Sequence, residues 1–263
     1  MKTISLVLTT ALMAVLTILI LPATKAEAHF GMVIASTPAV NQQQRTIELS
    51  LSFSHPFEGV GMDLVRPARF YGVANDTEID LDGCLEAASI MGSAGYRCHY
   101  TPERPGVYQF VMEPQPYWEP LEDSYIIHYS KTLVGVFGSD EGWQHLLGLP
   151  VEIKPLLRPF GNYQGNSFSG QVLFNGKPAP FATVEVEFYN EAGRYQPPTD
   201  YHTTQVITTD PNGVFTFTCP LSGWWGFSSL TEADYQLKDP QGNDKPVELG
   251  GVLWIRMDEY QQR

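Results

Sequence analysis

Apolar and polar residues alternate along most of the chain, with the two-residue period of a strand that buries one face. Between Thr46 and Ser54, Ile47, Leu49, Leu51 and Phe53 fall on one side. The run ends at Ser54-His55-Pro56-Phe57-Glu58-Gly59, where Pro56 and Gly59 predict a loop. Further strands are predicted over 64–73, 78–81, 96–101 and 106–112, with a short helical turn over 84–91. Pro114, Pro116, Tyr117, Trp118 and Pro120 mark a loop. After it come strands over 125–132 and 134–137, one or two helical turns over 141–147, and a short closing strand over 151–153.

A second block follows Pro155, Pro159, Gly161 and Gly165, which read as a linker between domains. Strands are predicted over 168–174 and 183–189, with Val184, Val186 and Phe188 on one face. The Asn175-Gly176 pair is a hairpin signal, and Asp210-Pro211-Asn212-Gly213 is another turn, leading to a strand over 214–219. Gly223-Trp224-Trp225-Gly226-Phe227 precedes the last predicted strand, 252–255. Short strands between turn signals predict an all-β fold of two β-sandwich-like domains. They are expected at 29–157 and 165–258, with a linker at 158–164 and a tail at 259–263.

The start of the chain follows another pattern. Lys2 precedes an apolar run from Ile4 to Leu21, and Ala26-x-Ala28 offers the small residues a signal peptidase needs. Residues 1–28 are therefore expected to be a cleaved signal peptide, leaving His29 as the first residue. The run is near the lower length limit of a membrane span, but its Ala-x-Ala end favours removal. The mature chain holds no second apolar run of spanning length, so no integral membrane segment is expected there. No cysteine near the cut suggests a lipid anchor. The expected location is the periplasm or another exported, oxidising compartment, in soluble form.

Composition narrows the partners. The 263 residues carry a formal charge of −13, which argues against a nucleic-acid partner. An exported chain makes a Cys84–Cys98 disulfide the default expectation. Closing such a loop contributes about 3 kcal/mol in the chain-entropy model. Cys219 lies in a strand pattern and reads as a buried free thiol.

No HExxH, CxxC, P-loop or GxSxG pattern is present, so no enzyme is expected. The chemistry on offer is histidine. A terminal His29 presents an α-amine and an imidazole Nδ1 that close one chelate ring, a donor pair suited to Ni(II) or Cu(II). The plain alternative is a chance histidine after a cleavage site. A cut two residues earlier would expose Glu27-Ala28-His29, which wraps the same metals in a plane. His55 sits where a strand breaks into a loop, and His128 shares a strand face with Ile126 and Ser130. Each taken alone reads more simply as structural, a capping loop residue and a core histidine. Glu119, Glu122 and Asp123 are candidates for a carboxylate ligand or for orienting an imidazole, against the plainer reading of a solvated acidic loop. Met32, Met62, Trp224 and Trp225 are read as packing residues.

Several multi-residue stretches carry a resemblance across nearly all of the mature chain. They are Ala28-His29-Phe30-Gly31, Ser54-His55-Pro56-Phe57-Glu58-Gly59-x-Gly61-Met62, Pro116-Tyr117-Trp118-Glu119-Pro120-x-Glu122-Asp123, Ile127-His128-Tyr129-Ser130-Lys131, Gly148-Leu149-Pro150-Val151-Glu152-Ile153 and Gly223-Trp224-Trp225-Gly226-Phe227. In these the chain resembles a domain-of-unknown-function family of exported accessory proteins found with nickel and cobalt uptake transporters. Its second half is similar to transthyretin-like or carboxypeptidase-regulatory sandwiches, and the fold expectation is accordingly immunoglobulin- or transthyretin-like. The resemblance implies a periplasmic protein that binds Ni(II) or Co(II) as cargo and supports a membrane nickel/cobalt permease. His29 is the ligand it implies; His55 and His128 are added from their positions. Two rival readings stand beside it. One is a copper-binding histidine-brace protein, a chaperone or oxidase holding Cu(II). The other is a metal-free sandwich that binds carbohydrate or protein through the aromatic loops at 116–120 and 223–227.

Overall fold

The computed structural model describes residues 28–261, so the expected signal peptide lies outside the described residues except for Ala28. Apart from two single turns of 3-10 helix, Asp82–Cys84 and Asp200–His202, the regular structure described is strand. The fold class is all-β, with a central sheet between two smaller ones.

One sheet runs through both halves of the chain. Its spine is Thr183–Phe188, Gly223–Glu232, Val247–Asp258, Ser124–Val136, Gly106–Glu113 and Arg69–Ala74, in that spatial order. Val247–Asp258 pairs antiparallel with Gly223–Glu232 on one side and parallel with Ser124–Val136 on the other. The parallel register runs from Tyr125 opposite Val247 to Thr132 opposite Trp254. A strand flanked on both sides and covered on both faces is apolar nearly throughout, as Val252-Leu253-Trp254-Ile255 is.

Two smaller sheets cover opposite faces of this spine. Phe30–Ala35, Ile47–His55 and Ser93–Tyr100 form the first, and Leu49, Leu51, Phe30 and Met32 pack against Trp254, Val252, Val134 and Phe110. Val151–Pro155, Ser167–Phe174 and Val214–Thr218 form the second, and Ile153, Phe168 and Phe215 pack against Leu253, Ile255, Phe227 and Val186. Successive strand residues point to opposite faces, so neighbours in sequence part company. Trp224 joins the first core and Trp225 the second. Both indoles are buried, in keeping with a packing role.

The division at 158–164 is therefore a division along the chain and not between sheets. Val151–Pro155, expected to close the first half, pairs with Ser167–Phe174 of the second. Asn162–Tyr163, inside the expected linker, pairs with the end of Val247–Asp258. Two local expectations are also corrected. Glu86–Ile90 is a strand paired with Ser93–Tyr100, because the Cys84–Cys98 disulfide ties the preceding turn to that neighbour. Residues 141–147 form a bend, a turn and irregular chain instead of helix, and their end is held by Glu152, whose carboxylate accepts from the backbone N–H groups of Leu147 and Gly148. The hairpin expectation stands: Asn175 and Gly176 have φ of 49° and 74°, the left-handed pair a two-residue turn requires. Cys219 is a buried free thiol, its pKa raised to about 12 by burial.

A buried ion pair joins Ser124–Val136 to Val151–Pro155. Lys131 Nζ donates to Glu152 Oε1 at 2.7 Å, and both side chains are 2 % exposed. Burial lowers the pKa of the Lys131 ammonium, and Glu152 opposes that shift. Removing one member of such a pair leaves a charge uncompensated in a dry interior. Glu152→Ala is expected to lower unfolding free energy by about 3 kcal/mol or more, and Lys131→Met with Glu152→Gln to recover part of it. Denaturant unfolding of both variants checks this; equal losses would show that the charge is not what costs.

Candidate functional site

At one edge of the first small sheet, histidines from three segments meet. His29 directly precedes Phe30–Ala35, which pairs antiparallel with Ile47–His55 and sets Phe30 opposite Ser54. That register brings the His29 and His55 rings to a centroid distance of 4.8 Å. Phe53 stacks beside His29 at 5.6 Å and meets the His128 ring edge-on at 5.8 Å. Sequence-distant histidines thus share one wall around a phenyl ring. His55 and His128 are buried, and the His29 side chain is 10 % exposed.

Hydrogen bonds fix two of the rings. His55 Nδ1 lies 2.9 Å from the Ala28 carbonyl oxygen, which can only accept, so Nδ1 carries the proton. The Gly31 N–H points at His128 Nδ1 at 3.4 Å, which makes that nitrogen an acceptor and puts the proton on Nε2. His128 Nε2 faces Glu248 Oε1 at 3.4 Å. The ring lies flat over Gly250, where a Cβ would run into its Cδ2 and Nε2. Glycine is required there because nothing larger leaves room for the imidazole.

Carboxylates close the other side. Tyr117–Glu119 pairs with the start of Ser124–Val136 and swings a short hairpin over His29. Glu119 Oε2 is 3.4 Å from His29 Nε2, and Glu122 Oε1 is 3.9 Å from His29 Nδ1. Asp123, expected with them, is elsewhere. With φ of 55° it turns out of the cleft, and both its oxygens take Lys245 Nζ at 2.6 Å.

Burial governs the protonation states. It depresses the His29 pKa to about 4, helped by the neighbouring His55 and His128 charges and opposed by Glu119 and Glu248. A neutral imidazole keeps a lone pair free for a cation at pH 7. Burial likewise raises Glu122, with Glu248 and Glu119 adding to the shift. Deeper along the same face, Glu185 rises to about 7 through burial and then Glu248 and Glu122. Glu187 rises to about 8, mainly by burial, although Thr204 Oγ1 and the Phe57 N–H donate to it and pull the other way.

The sequence pointed to His29, His55, His128, Glu119 and Glu122, and the fold brings these five together. It missed Glu248, Glu185 and Glu187, whose only signal was acidic residues on the alternate face of apolar strands, a pattern that ordinarily means a solvated face. Among the described residues no three His, Cys, Asp or Glu side chains stand at mutual metal-ligating distance. The ring nitrogens have other partners: Ala28 holds His55 Nδ1, and Gly31 and Glu248 face the two His128 nitrogens. With Ala28 attached, the nitrogen of His29 is an amide and no ligand.

Residues 26–233 match the protein family described as Domain of unknown function (DUF4198). A comparison with curated proteins returns no match. Among solved structures, the titin immunoglobulin tandem A164-A165 aligns at 10 % identity over 89 % of this chain and 98 % of that one, with a TM-score of 0.22. The two tandem V-type regions of VCBP3, a v-region-containing chitin binding protein, align at 10 % identity over 83 % and 98 %, at 0.24. A putative membrane anchored protein from Corynebacterium diphtheriae aligns at 10 % identity over 88 % and 59 %, at 0.23. These TM-scores are too low for a shared overall arrangement. Among the described residues no helix is long and apolar enough to cross a membrane.

Two outcomes follow from the site. Glu185 and Glu187 hold protons that the unfolded chain, with carboxyls near 4.5, has already released. Stability should therefore fall as pH rises through their folded values, by on the order of 2 kcal/mol between about pH 6.5 and 8.5. His29 acts oppositely, but its contribution is complete by about pH 6.5. Chemical unfolding across that range checks the sign; a rising or flat profile would contradict it. Gly250→Ala should displace the His128 ring and cost about 1–3 kcal/mol by overpacking, visible as a shifted His128 imidazole resonance.

Proposed function

This chain belongs to the DUF4198 family, and from its histidine and carboxylate cleft we propose that it captures a divalent transition metal, nickel or cobalt, in an exported compartment and supports uptake through a membrane permease. Cleavage after Ala28 creates the site. The donors are the His29 amine and imidazole together with His55, and His128 completes the nitrogen set by exchanging its Glu248 contact for the metal. Glu119 and Glu122 lie beside His29 and offset the charge of the cation.

One observation carries the reading. The atom that occupies His55 Nδ1, at 2.9 Å, is the carbonyl oxygen of Ala28, which belongs to the peptide bond that cleavage would break. In a peptide unit that oxygen and the following nitrogen are about 2.2 Å apart. Cutting the bond removes the acceptor and leaves His55 Nδ1 within about 5 Å of the new amine. Two donors on one metal at about 2 Å each lie about 3–4 Å apart, so a small movement suffices. The uncut chain masks its own ligand, and the cut chain exposes it beside two more.

The same donors favour Cu(II) over Ni(II) intrinsically, so a copper reading shares this geometry and is separated by experiment. Protein purified from the exported compartment should start at His29 and hold one Ni(II) by native mass measurement. His29→Ala and His55→Ala should each weaken Ni(II) binding by about 100-fold or more. A chain kept uncut by Ala28→Pro should bind no better than those variants. Ni(II) affinity unchanged in His29→Ala would end the proposal. Binding of Cu(II) with oxidation of an added reductant would shift it to the copper reading.

A further inference from the structure

A cleft of about 1260 Å³ opens at the end of the central sheet away from the histidines. It is built from the end of Val247–Asp258 and the residues after it, from Gly161 and Tyr163, from the 189–195 loop and from residues 37–39. Arg256, on its wall, lies six residues beyond Gly250 on one strand, so about 20 Å of backbone separates it from the His128 position. None of the histidines lines it. Three of its tyrosines face solvent: Tyr163, Tyr195 and Tyr260 are 39 %, 44 % and 68 % exposed. Exposed aromatic rings gathered in one place mark a binding surface.

Each ring is held by the backbone around it. Asn162–Tyr163 pairs with Met257 and Asp258, and the Gln164 N–H donates to the Asp258 carbonyl. Glu259 Oε1 accepts from Ser222 Oγ at 2.9 Å, which ties down the segment carrying Tyr260. The Tyr163 and Tyr260 rings then stack at 3.8 Å, 9° from parallel. On the other side, the buried Asn190 amide organises the loop. Its Oδ1 accepts from the N–H groups of Arg194 and Tyr195, and its Nδ2 donates to the Phe57 and Tyr195 carbonyls. Tyr195 meets the Phe188 ring edge-on at 5.6 Å. That loop leaves Thr183–Phe188, three strands from Asn162–Tyr163 across the sheet, a span of about 14 Å. Rings fixed beforehand lose little entropy when a ligand covers them.

We propose that this cleft binds a short, uncharged oligosaccharide on Tyr163, Tyr195 and Tyr260. Its size sets the first limit: a site for one drug-sized molecule has roughly 300–1,000 Å³, so this one suits an extended ligand. The polar lining sets the second. Glu191, Arg194, Arg256, Asp258 and Glu259 bring charges of both signs that nearly cancel, which disfavours a strongly acidic or basic ligand. Arg256 Nε is buried without a hydrogen bond, and Asp258 Oδ1, 3.3 Å away, stands out of line with it. A proline-rich peptide also seeks aromatic grooves, but it brings few donors and would leave these groups unpaired. Sugar rings offer flat C–H faces to tyrosine, and hydroxyls that donate to carboxylates and accept from guanidinium groups. The rings are not those of the 116–120 and 223–227 loops, from which Trp224 contributes only a buried floor.

Titration calorimetry of the mature protein with cellohexaose, maltohexaose, chitohexaose and a decamer of proline tests this. At least one hexasaccharide should bind, and the proline decamer should not. Tyr195→Ala and Tyr260→Ala should each lower affinity for that sugar by about 10-fold. Tyr195→Phe keeps the ring and should stay within about 2-fold of the parent. Both tyrosines are exposed, so the variants should keep the parent's unfolding midpoint; if one does not fold, the other carries the comparison. No binding of any hexasaccharide, or affinity unchanged in both alanine variants, would overturn the proposal. Binding of the proline decamer alone would overturn it in favour of a peptide site. Run without added metal, the titration gives its answer whether or not the Ni(II) reading holds.

Discussion

The parallel pairing of Val247–Asp258 with Ser124–Val136 holds the molecule together. It joins a segment from the middle of the chain to one more than a hundred residues later in a single sheet, and both cores depend on it because alternate residues of the same strands serve each side. Val252 and Trp254 belong to the core under the first small sheet, Leu253 and Ile255 to the core under the second. The pairing also makes the cleft, since it sets Gly250 beside His128 and Glu248 within reach of its Nε2. Weakening one register would loosen two cores and a site together.

The front face of that sheet departs from what packing alone would choose. His55, His128, Glu119, Glu187, Ser54, Ser130 and Ser228 are buried on or against it, among Phe30, Phe53 and Trp254. Burying polar groups costs free energy that hydrogen bonds only partly return. The opposite face mixes both cases: Glu152 takes Lys131 and two backbone N–H groups, while Gln109, paired with Leu133 of the second core, is buried with its Oε1 unpartnered.

Much of this was legible in the sequence where a local rule decides. The period-two runs at 47–53, 106–112 and 183–188 are strands because their apolar residues fill one face. The Asn175-Gly176 turn follows from left-handed backbone at both positions. The five site residues could be named because each stood where packing gave it no obvious task. What failed depended on distant partners. Residues 84–91 have no strong period, and their strand comes from pairing with 93–100. Residues 141–147 look helical, but Glu152 takes the N–H groups of Leu147 and Gly148 at their end. Glu185 reads as a solvated charge, yet burial raises its pKa to about 7. The split between halves misled because strand pairing ignores chain order.

That disregard for chain order sets the timetable of assembly. His29 is at the beginning of the described chain and Glu248 near its end, yet both face one cleft. A chain emerging from its N-terminus exposes the histidines long before the strand that floors them exists. Until Val247–Asp258 arrives, Ser124–Val136 presents an open edge, a feature that invites the wrong neighbour. Non-local pairing of this kind is slow. Synthesis must therefore finish before the cleft can close, and a truncated copy carries the histidines without the floor that organises them.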